Sequence, residues 1–170
     1  MKKRFIASIV FLFCAGYAFS QNDCQTYVNQ AKNAKSTTEK DRLFRKAAEC
    51  GDEDVQFYIG TLYYDVAEGL RKDYSNSKDD VEKWLIEEDI KSNGKDAIKY
   101  LSMAAETGHP GAQAYLCLIY YEGHFVEENF DKSKEWARKV NNNSRSTSKE
   151  KEAVNQVLGR IEMLDALEWW

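Results

Sequence analysis

Lys46–Asp65 reads KAAECGDEDVQFYIGTLYYD and Met103–Glu122 reads MAAETGHPGAQAYLCLIYYE. Shifted by 57 positions, Ala47, Ala48, Glu49, Gly51, Gln56, Tyr58, Tyr63 and Tyr64 fall on Ala104, Ala105, Glu106, Gly108, Gln113, Tyr115, Tyr120 and Tyr121. An internal repeat of this kind identifies a structural unit that cannot bury its apolar face alone and stacks on its neighbours. In each copy two small alanines close one helix and allow close approach, and a glycine then supplies the left-handed residue that stops it. A second helix follows, with Pro110 near its first turn, where a missing N–H costs nothing. Ala112, Tyr115, Leu116, Ile119 and Tyr120 then recur at the spacing of one helical face.

Working outward, a second period links the other helices. Lys95–Gly108, KDAIKYLSMAAETG, superposes on Asp131–Ser144, DKSKEWARKVNNNS, with Ala97 over Ser133, Tyr100 over Trp136 and Leu101 over Ala137. That shift of 36 suits one helix-turn-helix unit. The difference between the two periods implies an insertion over residues 66–94, whose segment Val81–Ile90, VEKWLIEEDI, is expected to add helix with Trp84 and Leu85 facing the stack. Upstream, Asp23–Ala34 and Thr38–Glu49 read as a first, less regular helical hairpin with Leu43, Phe44 and Ala47 inward. Downstream of the polar loop NNNSRSTS, residues 148–168 place Val154, Val157, Leu158, Ile161, Leu164 and Leu167 along one stripe, as a terminal capping helix would. No convincing strand occurs anywhere.

These residues resemble the Sel1-like repeat family of tetratricopeptide-related helical repeats. Its pattern is approximately A-x-A-x-x-x-L-G-x-x-Y-x-x-G-x-x-V-x-x-D-x-x-K-A-x-x-W-x-x-K-A-A-x-x-G. Tyr115 and Leu116, then Tyr120, Gly123, Val126, Asp131, Lys132 and Trp136, supply its residue types, with the clearest units over residues 40–144. Cys117 stands where the family usually has glycine and Gly60 keeps it, so a locally wider helix crossing is expected at Cys117. The resemblance implies an all-α, right-handed α-solenoid of antiparallel helix pairs, with about three repeats and a C-terminal capping helix in a single domain over residues 21–170. It also implies an adaptor or scaffold that holds a protein or peptide partner without catalysis. The alternatives are a cell-envelope hydrolase of wall-derived compounds and a structural subunit of an envelope complex; fold alone does not decide among them.

Met1, Lys2, Lys3 and Arg4 begin with a basic head, and Phe5–Phe19 carry no charge. Residues 1–20 therefore read as a cleaved secretory signal, too short to span a bilayer and ending in Ala18-Phe19-Ser20, and place the protein in the periplasm or the extracellular space. An uncleaved anchor is the competing reading. Losing three positive charges takes the net charge from −4 to −7, so a phosphate backbone gains no counterion-release energy and nucleic acid is excluded as a partner. Neither is membrane insertion expected after cleavage. Of the cysteines outside that segment, Cys24 and Cys50 stand at the start of one helix and the end of the next, ends that an antiparallel hairpin brings together; a disulfide between them is expected.

No catalytic, cofactor-binding or metal-binding residues emerge. Glu87, Glu88 and Asp89 read as a solvated helix face, and His109 and His124 as surface residues of two turns. Cys117, between Leu116 and Leu118, reads as an inert buried thiol. Glycine-rich phosphate loops need a preceding strand, and there is none, so no cofactor is expected. Tyr58, Tyr63, Tyr115 and Tyr120 fit packing between helices. Tyr64 and Tyr121 lie one residue on, roughly 100° around the helix, and are the candidate contacts for a protein ligand on the open face.

Overall fold

The computed structural model describes residues 21–167, so residues 1–20, where a secretory signal is expected, and the final Trp169 and Trp170 lie outside the described residues. Seven helices account for the described fold: α1 (Gln21–Asn33), α2 (Thr37–Glu49), α3 (Glu53–Asn76), α4 (Asp80–Glu106), α5 (Pro110–Glu122), α6 (Phe130–Asn142) and α7 (Ser148–Leu167). No strand occurs among the described residues, and the architecture is that of an all-α helical-repeat protein. The chain divides into two compact units, meeting in sequence at Cys50 and Gly51.

The first unit is the hairpin of α1 on α2. Cys24, Val28 and Ala31 are buried along one stripe of α1, and Leu43, Phe44, Ala47 and Ala48 along one of α2, the i, i+3/i+4 spacing that a helix needs to turn a single face inward. Cys24 is buried at the start of this hairpin and Cys50 half-buried at its end. Cys50 Sγ lies 3.6 Å from the Lys46 carbonyl oxygen of its own helix.

In the second unit two helix pairs, α3/α4 and α5/α6, are followed by α7. Equivalent positions of the 57-residue repeat do equivalent work. Gly51 and Gly108 hold φ of 85° and 94°, and the pairs Ala47/Ala48 and Ala104/Ala105 before them are buried. Asp52 then caps α3, accepting from the amides of Asp54 and Val55 at 3.0 Å, while its counterpart His109 caps α5, with Nδ1 accepting from the Ala112 amide at 3.1 Å. Both caps satisfy amides that would otherwise be orphaned at a helix start.

One apolar layer collects Leu101, Ala104 and Ala105 of α4 with Ala112, Leu116 and Ile119 of α5. A second joins Cys117 of α5 and Ala137 and Val140 of α6 to Val154, Val157 and Ile161 of α7. The capping stripe of α7 is thus buried over its middle only, since Leu164 and Leu167 are exposed.

The insertion over 66–94 lengthens both members of one helix pair. α3 and α4 run for 24 and 27 residues against 13 each for α5 and α6. At 1.5 Å per residue they reach about 36–40 Å where the second pair reaches about 20 Å. Asp79 caps the return helix, accepting from Val81 N at 2.8 Å and Glu82 N at 3.0 Å. Buried positions end at Ala67 on α3 and resume at Ile90 on α4. Trp84 and Leu85, on the stretch between, do not face the stack as expected; they are 61% and 55% exposed.

Candidate functional site

Three surfaces of the second unit bear on function: the two candidate tyrosines, a polar groove, and the far end of the long hairpin. Tyr64 on α3 is half-buried, edge-on to Tyr115 at 5.1 Å and to Phe125 at 5.6 Å between ring centroids. Burial, with the carboxylates of Glu122 and Glu68 nearby, pushes its phenol well above the ordinary range. Tyr121 is half-buried as well, stacked on Phe130 at 6.0 Å. The extra 100° of rotation carries each ring onto a neighbouring aromatic. Tyr63 stacks on Tyr100 at 5.8 Å, in line with its expected packing role.

His109 departs from its surface reading. Its ring stacks on Phe57 at 4.2 Å, and burial lowers its pKa, which keeps Nδ1 available as the cap acceptor. Cys117 is fully buried; burial raises its thiol pKa, and Ser133 Oγ, 3.5 Å from the sulfur, donates to the Cys117 carbonyl at 2.8 Å. A buried thiol with a raised pKa has little thiolate and is a poor nucleophile.

A shallow open groove of about 710 Å³ lies where α3 begins, α4 turns into α5 and α6 ends. Arg145 organises it. Its Nη1 donates to Glu53 Oε1 at 2.5 Å and its Nη2 to the Gly108 carbonyl, and the Thr107 hydroxyl donates to Glu53 Oε2 at 3.1 Å. Asn143 Nδ2 donates to Gly108 O at 2.8 Å and to Gln113 Oε1 at 3.2 Å, and Gln113 Nε2 to Ala105 O at 3.1 Å. The hydrogen bond from Arg145 holds the Glu53 carboxyl below the usual carboxylate range. A carboxylate so paired is committed to its cation, whereas acid or base work needs a proton that can be exchanged near neutral pH. The groove is built to hold three helix ends in register.

The hairpin end differs in kind. Val81, Trp84 and Leu85 sit at i, i+3 and i+4 on α4 and are 69%, 61% and 55% exposed. Asp79, Asp80, Glu82 and Asp89 flank them. Periodicity alone marks this stripe as apolar; that it faces outward in this unit is shown by its exposure, which sequence does not display.

Antiparallel helix pairs punctuated by the same alanines, glycines and caps define a helical-repeat protein. The Sel1 repeat model matches residues 42–52, 87–109 and 110–139, covering the close of α2, the inner half of α4, and α5 with most of α6. These three stretches are Sel1-like repeats. Sel1 repeats in general mediate protein–protein interaction. No curated protein and no solved structure matches this chain. Among the described residues no helix is long and apolar enough to cross a membrane.

Proposed function

We propose that this chain is an exported scaffold that binds a protein or peptide partner without catalysis, and that the Val81, Trp84 and Leu85 stripe at the end of the α3/α4 hairpin is its principal contact. The exposure of those three side chains on one helical face carries the reading. Contiguous large apolar groups in water mark interaction sites, and tryptophan is among the residues that most often dominate binding energy. The acidic flank of Asp79, Asp80, Glu82 and Asp89 favours a partner whose apolar patch has a basic rim, since opposite potentials steer encounter and fix register. Export rests on the basic head and uncharged run of residues 1–20.

The test is a crosslinked pull-down of the tagged chain from its native envelope fraction, run beside Trp84→Ser/Leu85→Ser. Both side chains are exposed, so the variant keeps its helical circular dichroism. One protein captured by the parent, lost by the variant, and bound again when purified supports the proposal. Equal capture by parent and variant refutes the assignment of the stripe, and capture of nothing refutes the scaffold.

A further inference from the structure

Three ligand-bearing side chains that the scaffold reading leaves unused meet at one place. Glu68 lies on α3, Glu122 is the last residue of α5, and His124 follows Gly123, whose φ of 67° turns the chain back after the helix. Their ligating atoms all lie within 4.8 Å of one another. His124 Nδ1 is 3.2 Å from Glu68 Oε1 and 3.3 Å from Glu122 Oε2. Around a tetrahedral zinc ion with bonds of about 2.0–2.1 Å, neighbouring ligand atoms stand about 3.3 Å apart. The two imidazole-to-carboxylate separations already match that edge.

The local field suits a cation. Two carboxylates converge beside the negative end of the α5 dipole, and no basic residue stands in the last turn of α5. Arg71 pairs with Glu68, its Nη1 donating to both carboxylate oxygens at 2.9 Å, and Arg71 and Arg160 also act on the charge of Glu122. Such a contact orients a ligating carboxylate from outside, as second partners commonly do in metal sites, and leaves the oxygens a further lone pair each. One imidazole and two carboxylates form a borderline donor set, suited to zinc-like divalent ions more than to magnesium or to copper(I).

We propose that Glu68, Glu122 and His124 form a binding site for a divalent transition-metal ion of the zinc class, with a fourth position left to water. The ion would join α3 to the loop after α5. The test uses the untagged full chain titrated with Zn2+ against a chromophoric chelator, and with Co2+ followed by visible absorption. The expected result is one ion per chain, with affinity weakened at least tenfold by Glu122→Gln and by His124→Ala, and unchanged by Glu87→Gln/Glu88→Gln. His124 is an exposed loop residue, and circular dichroism checks that each variant is folded. In the parent, the imidazole resonances of His124 and not His109 shift on adding Zn2+. No binding at millimolar Zn2+, affinity unchanged in both site variants, or a thiolate-to-cobalt band placing the ion on cysteine would each overturn the proposal.

Discussion

Gly60 and Gly69 lie on the same helix, nine residues apart, and the same substitution at the two should move stability in opposite directions. A Cβ at Gly69 meets nothing within 4 Å. Gly69→Ala should therefore realise the ordinary helix-propensity gain of about 0.5–1 kcal/mol. A Cβ at Gly60 would stand 2.8 Å from Leu101 Cγ and 3.0 Å from the Leu101 backbone nitrogen. Leu101 is fully buried, and no rotamer change moves a backbone atom, so the clash needs α3 and α4 to part. Overpacking of that kind costs about 1–3 kcal/mol; at its upper end, less the propensity gain of about 1 kcal/mol, Gly60→Ala should lose about 2 kcal/mol. Urea unfolding followed by circular dichroism reads this directly. With a slope of about 2 kcal/mol/M the midpoint of Gly60→Ala should fall by about 1 M and that of Gly69→Ala rise by a few tenths. A Gly60→Ala midpoint at or above the parent's would refute the close crossing of α3 on α4.

Arg145→Gln should destabilise the protein at pH 7 and progressively less in acid. Glu53 is held below its ordinary range chiefly by the hydrogen bond from Arg145. Its contribution is thus present above the unfolded carboxyl pKa and lost as pH falls through the folded one. The gap in urea midpoint between parent and variant should narrow by about pH 2–3, and a gap independent of pH would show that the carboxylate is not the partner that matters. Cys117, fully buried with its thiol pushed up, should resist iodoacetamide in the native state at pH 8 and react at the rate of a free thiol in urea, as mass spectrometry of the alkylated peptide reports. Native labelling as fast as unfolded labelling would mean that α5 does not seal it.

Much of this fold is written in residues of fixed stereochemical meaning. The double alanines and the glycines at 51 and 108 specify where helices stop, because only a residue without Cβ takes positive φ cheaply. The 57- and 36-residue periods specify which helices are equivalent. What depends on neighbours supplied by the rest of the chain was not legible in this way. An apolar stripe has the same sequence whether or not a third helix lies across it, so Trp84 and Leu85 read as facing the stack. Tyr64 and Tyr121 read as exposed because a helical wheel gives direction but not what stands there, and Phe125 and Phe130 stand there. The convergence of Glu68 with Glu122 and His124 joins positions more than fifty residues apart, and no spacing rule within one helix could reveal it.

The departure at Cys117 shows how the two repeats keep one architecture with different side chains. By the 57-residue shift Cys117 replaces Gly60, and by the 36-residue shift Ala137 replaces Leu101 and Ser133 replaces Ala97. In the first pair the smallest residue faces a leucine, and a Cβ at Gly60 would clash with it. In the second, the larger cysteine shares its layer with alanine and sits against Ser133. Volume added on one helix is removed from the facing one, so a wider crossing at Cys117 is not required. Interiors pack at near-crystalline density, and cores tolerate exchanges that conserve total volume far better than single enlargements. The pairs Gly60 with Leu101 and Cys117 with Ala137 therefore behave as units: either member transplanted alone into the other repeat would overfill or hollow the crossing, whereas the two together would restore it.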